Sequence, residues 1–225
     1  MNIIVIGEPS NLDECKRKFG DRHEYLLADS ENAQKLILKS NVVFDFLTDA
    51  NPSGLKIYDS DLHPAGIVFL NTAKTNLLQI NRTSDHLSKW HQFGFPGLPT
   101  FLDREILEIS LYKKKDAEKL KEVCGQLGTA YRIVEDRVGL VTPRVICMII
   151  NEAYYTVQEG IATREDIDLA MRLGTHYPFG PFEWCHRIGI RHVYELLGAI
   201  HQEKKDDRYE ICSLLRSEYE KTYRN

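Results

Sequence analysis

The first part of the chain alternates short apolar runs with polar stretches, as strands alternate with helices. Apolar runs bounded by turn residues predict strands at residues 2–6, 25–28, 42–47, 67–70, 105–110 and 131–135. Asn51-Pro52 and His63-Pro64 are among the predicted turns. The polar stretches predict helices that end near Gly20, cover residues 31–38 and cover residues 115–127. This alternation favours a parallel sheet covered by helices.

The second part has the three- and four-residue periodicity of amphipathic helices. The longest apolar stripe predicts one long helix and consists of Val145, Ile146, Ile149, Ile150, Ala153, Tyr154 and Val157. We expect this helix to end at Gly160. A further amphipathic stretch over residues 203–223 predicts a last helix.

Between these two stretches lie the signals of a capped helix and a stiff corner. The Thr163 hydroxyl can accept a hydrogen bond from the amide of Asp166, which predicts a helix start, and the apolar pattern continues to Gly174. Residues 177–183 read Tyr-Pro-Phe-Gly-Pro-Phe-Glu. The prolines fix two φ angles there, so Pro181 is expected at or near the start of another helix.

The change from strand-type to helix-type patterning predicts two domains. The boundary lies near Asp136, which gives a first domain over residues 1–135 and a helical domain over residues 136–225. A chain of 225 residues is long enough for two modest cores.

Composition and charge exclude several classes of protein. The net charge of −4 argues against nucleic acid as a main partner. No apolar run reaches the roughly 18 residues that a membrane span needs, so we expect a cytoplasmic protein without membrane association. The five cysteines are scattered and never form a Cys-x-x-Cys pair, which predicts buried thiols and neither a disulfide framework nor a metal site.

The motifs after Asp136 closely resemble the C-terminal helical domain of the 3-hydroxyacyl-CoA dehydrogenase family. The similar segments are Asn-Glu-Ala at 151–153, Glu-Gly at 159–160, Asp-Ile-Asp-x-Ala-Met at 166–171 and Tyr-Pro-x-Gly-Pro-Phe-Glu at 177–183. An unrelated helical bundle is the alternative, and it would require these motifs to coincide in order and spacing.

This resemblance implies a fold, an activity and an assembly. The fold is α/β, with a truncated Rossmann-like parallel sheet domain followed by an all-helical C-terminal domain. The activity is the NAD-dependent oxidation of 3-hydroxyacyl-CoA in fatty-acid or butyrate metabolism. The family usually pairs through its helical domain, so the resemblance also implies a homodimer.

In that family, a Gly-x-Gly-x-x-Gly turn after the first strand holds the pyrophosphate of NAD. Gly7 is retained here. The residues that follow are Glu8, which brings a carboxylate near the phosphate position, and Pro9, which lacks an amide donor. We therefore expect that NAD does not bind in the usual way.

Asp29, Asp45 and Asn71 are the other candidate cofactor-binding residues. Asp29 ends the second strand, where an acidic side chain either holds the ribose hydroxyls of NAD or starts the next helix as a turn residue. Asp45 is similar to an acidic position at the end of a family strand. Asn71, with Thr72, is similar to the family's Ser-Asn-Thr segment.

Catalysis in the family uses a histidine base, a glutamate that orients it, and a serine and an asparagine that hold the substrate oxygen. Glu108 corresponds to the orienting glutamate. The serine position is Ala73, with Thr75 as the nearest hydroxyl, and the asparagine position is Pro143.

The position of the histidine is open between two residues. An ungapped comparison counted from Glu108 places Pro96 there. His91, in Trp-His-Gln-Phe-Gly-Phe-Pro, fits the family's His-Phe-Phe-Asn-Pro if a short insertion follows. Loss of a general base typically lowers the rate by a factor of about 100 to 10,000.

The sequence thus leads to two functional hypotheses. In the first, the chain is a degenerate relative with little or no dehydrogenase activity that works as a binding or interaction subunit. In the second, it is a divergent but active NAD-dependent enzyme that uses His91 and Glu108. The resemblance also implies an acyl-CoA-type small molecule as a ligand, although another small molecule is the alternative.

Overall fold

A computed structural model of the chain describes residues 1–29, 32–49, 52–59 and 66–223. The predicted helix start at Glu31, the turn at His63-Pro64 and Asn51 of the Asn51-Pro52 turn lie outside these ranges. The chain divides into two units, Met1–Leu140 and Val141–Asn225. The two units meet in the sequence a few residues after the boundary predicted near Asp136.

The first unit is built on a seven-stranded sheet. Its strands are β1 (Asn2–Ile6), β2 (Glu24–Ala28), β3 (Val42–Asp45), β4 (Ile67–Asn71), β5 (His91–Phe95), β6 (Ile106–Leu111) and β7 (Ala130–Ile133). They lie in the order β2-β1-β3-β4-β5-β6-β7. Strands β1 to β5 are parallel, whereas β6 is antiparallel to β5 and β7 is parallel to β6. The expected sheet is therefore confirmed as mostly parallel, with its last two strands reversed.

Four helices accompany the sheet: α1 (Pro9–Phe19), α2 (Ala33–Ile37), α3 (Leu77–Thr83) and α4 (Ala117–Leu127). Successive residues of the central strands point to opposite faces. On one face, Val5 and Phe44 pack with residues of α1 and α4. On the other, Ile4 and Val43 pack with residues of α2 and α3. Because both faces are covered, residues 3–6 form a continuous apolar run rather than an alternating one.

Strand β5 and helix α3 were not predicted from the sequence. The sequence of β5, His-Gln-Phe-Gly-Phe, has too few apolar residues to indicate a buried strand. Gly94 is required in it, because a Cβ atom there would lie 2.3 Å from the Ser110 hydroxyl oxygen and 2.6 Å from that of Thr72. The short, polar helix α3 is started by Asn76, whose side chain accepts a hydrogen bond from the Gln79 amide (2.8 Å).

The second unit is helical and consists of α5 (Thr142–Gln158), α6 (Arg164–Thr175), α7 (Pro181–Ile188), α8 (Ile190–Lys204) and α9 (Ser213–Tyr223). Helix α5 packs against α7, α8 and α9. Its predicted stripe is buried at Ile146, Ile150, Ala153 and Tyr154. The prediction is wrong for Val145, which is 49% exposed because it lies beside the buried face of the helix rather than on it.

The predicted caps and corner of this unit are confirmed. The Thr163 hydroxyl accepts a hydrogen bond from the Asp166 amide (3.2 Å), and Pro181 is the first residue of α7. The Asp168 carboxylate accepts hydrogen bonds from the amides of Phe182 (2.8 Å) and Glu183 (3.1 Å) at the start of α7. This contact ties the corner to α6.

The predicted last helix over residues 203–223 is wrong in its first half. Helix α8 continues to Lys204, residues Asp207–Tyr209 form a 3₁₀ turn, and α9 begins only at Ser213. Asn151 of α5 holds the intervening loop, since its side chain donates to the Glu210 carbonyl (2.8 Å) and accepts from the Cys212 amide (2.9 Å). Amphipathic periodicity does not reveal such a contact, because it comes from a distant helix.

Candidate active site

The candidate cofactor residues lie at one edge of the sheet. Gly7 follows β1, Asp29 follows β2, Asp45 ends β3 and Asn71 ends β4. Because these strands are parallel, their carboxyl ends meet at the same edge, which is where open α/β sheets bind ligands. Glu108 lies near this edge too, since it is in the first half of the reversed strand β6.

The turn between β1 and α1 is occupied by the side chain of Asn11. The Glu8 amide donates to Asn11 Oδ1 (2.8 Å), the Gly7 amide donates to the Ala28 carbonyl (3.4 Å), and Pro9 has no amide hydrogen. A Cβ atom on Gly7 would lie 2.5 Å from Asn11 Oδ1. In a dinucleotide site these amides are the donors to the pyrophosphate. The turn does not offer them, so these residues do not fit NAD bound in that way.

Asp29 is exposed and bonded to its own turn. Its Oδ1 accepts a hydrogen bond from the Asn32 amide (2.9 Å), and its amide donates to Asn32 Oδ1 (3.2 Å). This reciprocal pair directly precedes α2 and is the arrangement of a turn residue at a helix start. The structure therefore places Asp29 at the expected edge and engages its carboxylate locally.

Asp45 is a buried carboxyl group that is 5% exposed. It accepts hydrogen bonds from the Tyr58 hydroxyl (2.8 Å) and the Leu47 amide (2.9 Å). Burial raises the pKa of Asp45 above its ordinary value, although these hydrogen bonds act in the opposite direction. Tyr58 ends the 3₁₀ segment Pro52–Tyr58, so Asp45 connects β3 to that segment.

The buried side chain of Asn71 forms hydrogen bonds with the loops that follow β3, β4 and β5. Its amide nitrogen donates to the carbonyls of Phe46 (3.1 Å) and Gly97 (3.4 Å). Its oxygen accepts from the amides of Ala73 (3.1 Å) and Gly97 (3.0 Å). These four bonds use the donors and acceptors of the side chain, and they hold the loops after β3, β4 and β5 together.

The strands β5 and β6 pair over two residues only. Phe93 pairs with Leu111 and Gly94 with Ser110 in this antiparallel pair. Glu108 lies two residues before Ser110 on β6, and Pro96 directly follows the end of β5 at Phe95.

Glu108 interacts instead with Arg104 in the loop before β6. Burial lowers the pKa of the Arg104 guanidinium, while the negative charges of Glu108 and Glu14 act to raise it. The guanidinium also lies over the Phe101 ring, 4.7 Å from its centroid. The carboxylate of Glu108 therefore has a cationic neighbour, the guanidinium of Arg104.

His91 lies at the opposite edge of the sheet. It is the first residue of β5 and pairs with Ile67, the first residue of β4. Its Nδ1 is 3.1 Å from the carboxylate of Asp116, whose side chain is 5% exposed. The distance along the strand from His91 to Pro96 is about 16 Å, at roughly 3.3 Å per residue. The structure does not bring His91 and Glu108 together.

Ala73, Thr75 and Pro143 are the residues that the sequence comparison with the family considered for holding the substrate oxygen. Ala73 is buried, and its carbonyl accepts a hydrogen bond from the Gly139 amide (2.8 Å). The Thr75 hydroxyl is 3.1 Å from the side-chain oxygen of Gln79 in α3. Pro143 lies in the second unit, in the first turn of α5.

Two acidic residues hold parts of the first unit together through contacts that were not predicted from the sequence. Glu14, buried on α1, accepts hydrogen bonds from the amides of Leu102 (3.1 Å) and Asp103 (3.3 Å) and so fixes the loop after β5. Burial raises the pKa of Glu14. The sequence contains one indication of this role, because Glu14 is an acid beside Cys15 on the buried face of α1.

The second of these acids, Asp136, was identified only as the domain boundary. Its carboxylate accepts hydrogen bonds from the amides of Leu77 (3.0 Å) and Leu78 (3.1 Å), the first residues of α3. It also accepts one from the Ser110 hydroxyl (3.0 Å). Asp136 therefore caps α3 and joins it to β6, which explains an acid at this point of the chain.

Other kinds of site are not found in the part of the chain that the structure describes. There, no three His, Cys, Asp or Glu side chains cluster as metal ligands. All five cysteines are buried, as predicted, and none forms a disulfide. Within the same ranges, no helix combines the length and the apolar character that crossing a bilayer requires.

Comparison with known proteins identifies the helical unit first. Residues 139–223 match the family model described as 3-hydroxyacyl-CoA dehydrogenase, C-terminal domain. The 3-hydroxyadipyl-CoA dehydrogenase of Escherichia coli is 41% identical over 91 residues, which are 40% of this chain and 19% of that protein. The 3-hydroxybutyryl-CoA dehydrogenase of Bradyrhizobium diazoefficiens is 29% identical over 155 residues, which are 68% of this chain and 53% of that enzyme. The chain thus spans about half, or less, of the length of these relatives.

Solved structures support the fold of the whole chain. The crystal structure of FadB2 from M. tuberculosis has a TM-score of 0.77 and covers 98% of this chain and 93% of its own, at 16% identity. The (S)-3-hydroxybutyryl-CoA dehydrogenase PaaH1 from Ralstonia eutropha has a TM-score of 0.71, with 99% and 94% covered, also at 16% identity. At such identities the likeness concerns the fold alone.

The matched helical domain, the motif order and the Rossmann-like sheet lead to one conclusion. The family binds acyl-CoA substrates and uses NAD. This chain belongs to the 3-hydroxyacyl-CoA dehydrogenase family.

Proposed function

We propose that this chain keeps the fold of the family, has little or no dehydrogenase activity, and acts as a binding or interaction subunit. The observation that supports this proposal is that His91, the first residue of β5, pairs with the first residue of β4, whereas Glu108 is in the first half of the reversed strand β6 and so lies toward the other edge of the sheet. A hydroxyl group held near Glu108 would lie far from the imidazole of His91, the candidate base. The missing base alone accounts for a loss in rate of about 100- to 10,000-fold.

The turn after β1 supports the same proposal, because its residues disfavour the binding of NAD. The Asn11 side chain takes the Glu8 amide, and Pro9 supplies no donor. The Glu8 carboxylate would also repel a phosphate charge, by about 1 kcal/mol at 4 Å in water-like surroundings and more in a less polar site. Tight binding of NAD at this turn is therefore disfavoured.

An acyl-CoA-type small molecule is the ligand we propose for the chain, in line with its family. The cytoplasmic location inferred from the sequence stays a prediction. We further propose that the chain forms a homodimer through its helical unit. Supporting this, several large apolar side chains of that unit are about half exposed or more: Val141, Val145, Ile161, Leu169 and Leu173.

One observation favours an active enzyme as the second candidate. His91 and the buried carboxylate of Asp116 form the kind of pair that orients an imidazole as a general base. In that case Asp116, rather than Glu108, would orient the histidine, and the chemistry would take place at the amino edge of β5. This second candidate predicts turnover that depends on His91.

Reduction of acetoacetyl-CoA by NADH distinguishes the two candidates. The wild-type chain is compared with His91→Ala and Glu108→Gln, and the Bradyrhizobium diazoefficiens enzyme serves as the active control. We expect the wild type and both variants to give the same background rate. Measurable turnover that is lost in His91→Ala would reject the proposal and support the enzyme.

A further inference from the structure

Two tyrosine rings lie stacked between the last two helices of the second unit. The ring centroids of Tyr194 on α8 and Tyr219 on α9 are 4.1 Å apart, and the two ring planes differ by 10°. Ring carbons of such a pair lie close to the van der Waals separation of about 3.5–4.0 Å. Both residues are only partly buried. The two rings are therefore in contact with each other and within reach of small solutes.

Tyr219 has one other tyrosine neighbour, which is more distant. The ring centroid of Tyr223 is 5.5 Å from that of Tyr219, and the two planes differ by 36°. The Arg191 guanidinium lies over the Tyr223 ring, 6.0 Å from its centroid. In the part of the chain that the structure describes, no further pair of tyrosine rings is in contact. Tyr194 and Tyr219 are therefore the two phenols of this chain that are best placed to react with each other.

We propose that Tyr194 and Tyr219 form a site of oxidative crosslinking, at which a small one-electron oxidant joins the two rings as dityrosine. The covalent bond ties α8 to α9, which are otherwise held together by packing alone at this point. The reaction requires neither NAD nor an acyl-CoA ester. The proposal therefore holds whether or not the chain has dehydrogenase activity.

The crosslink forms in three steps. The oxidant removes one electron from each phenol, and each hydroxyl loses its proton to water, which gives two phenoxyl radicals. The radicals pair to form one carbon–carbon bond between ring positions beside the hydroxyls. The hydrogen atoms on these two carbons then move as protons to the phenol oxygens, which restores both aromatic rings. In total, the two tyrosines lose two electrons and two protons, and the oxidant accepts the electrons.

The fold favours this reaction within one chain over a reaction between chains. The stacked rings have to turn before their carbons reach bonding distance, and rotamers of partly exposed side chains change within picoseconds to nanoseconds. Two groups held together in one molecule react as if each were present at a concentration in the millimolar range or above. At micromolar protein concentration, the bond between Tyr194 and Tyr219 should therefore form in preference to bonds between chains.

Photo-oxidation of the full chain with tris(bipyridyl)ruthenium and persulfate tests the proposal, since persulfate accepts the two electrons and becomes two sulfate ions. Trypsin cleaves after lysine and arginine, so Tyr194 falls in the peptide 192–204, Tyr219 in the peptide 217–221 and Tyr223 in the next one. Mass spectrometry should find the first two peptides joined, with the loss of two hydrogen atoms. The yield of this product should not change when the protein is diluted, because the reaction takes place within one chain.

Tyr194→Phe and Tyr219→Phe are the test variants, because phenylalanine keeps the stacked ring and lacks the hydroxyl from which the radical forms. Each should remove most of the dityrosine fluorescence, whereas the control Tyr223→Phe should leave it unchanged. The proposal is overturned if the folded wild type gives no joined peptides, if the chain unfolded in urea gives the same yield, or if Tyr223→Phe lowers the yield as much as Tyr219→Phe does.

Discussion

The polar residues at the carboxyl edge of the sheet are engaged with their own chain. Asp29 bonds to Asn32, Asp45 to Tyr58, and Asn71 to the loops around it. Their places could be predicted, because strand ends can be located from apolar runs. Their partners could not, because Tyr58 lies in a 3₁₀ segment that no periodicity indicates.

The carboxyl group of Asp45 gives a prediction for pH dependence. Burial raises its folded pKa, so the unfolded chain releases this proton at a lower pH than the folded chain does. The contribution of Asp45 to the free energy of unfolding therefore falls as the pH rises above about 4, by at most about 1.4 kcal/mol per pH unit. In urea unfolding between pH 4 and 7, Asp45→Asn should lack this decrease.

The matched control for this experiment is Asp13→Asn, which changes an exposed acid of α1. Its unfolding free energy should follow the pH dependence of the wild type. Parallel curves for the wild type and Asp45→Asn would show that the Asp45 carboxyl is not held protonated by its surroundings.

Helices and strands could be predicted from the sequence where residues within the element stabilise it, and not where distant residues do. Strand β1 and the start of α6 follow from local residues, namely a continuous apolar run and the Thr163 cap, and both are confirmed. Strand β5 depends on neighbours in the sheet, because Gly94 is required only by Ser110 and Thr72.

The corner between α6 and α7 gives a prediction at this scale. The Asp168 carboxylate accepts two amide hydrogen bonds at the start of α7, and Gly180 leaves room for it, since a Cβ there would lie 2.3 Å from Asp168. Asp168→Ala should lower the free energy of unfolding by about 1 to 2 kcal/mol, as the loss of a helix cap does. Urea unfolding measures the change.

Glu165→Ala is the control for the corner, because it removes an exposed acid from the first turn of the same helix. This substitution should lower the free energy of unfolding by at most about 1 kcal/mol, because it removes only a favourable interaction with the helix dipole. Equal effects of the two substitutions would mean that the bonds from Asp168 to α7 do not stabilise the corner.

At the scale of the whole molecule, the exposed apolar side chains of the helical unit predict association. Leu169 and Leu173 are four residues apart on α6 and so share one face, and Leu173 is 70% exposed. Size-exclusion chromatography with light scattering should show a dimer at micromolar concentration. Leu173→Glu should shift it to a monomer, because a charge in an apolar interface is costly.

Leu38→Glu changes an exposed leucine of the first unit and should leave the dimer intact. A wild-type chain that is monomeric at micromolar concentration, or a dimer unaffected by Leu173→Glu, would contradict pairing through this face.

We propose that the sheet keeps the family fold, whereas the turn after β1 no longer provides the contacts that hold a dinucleotide. Fluorescence titration with NADH is the direct test, with the Bradyrhizobium diazoefficiens 3-hydroxybutyryl-CoA dehydrogenase as the control. We expect saturable binding for that enzyme and no saturable signal for this chain. Saturable binding of one NADH per chain, at micromolar affinity, would contradict it.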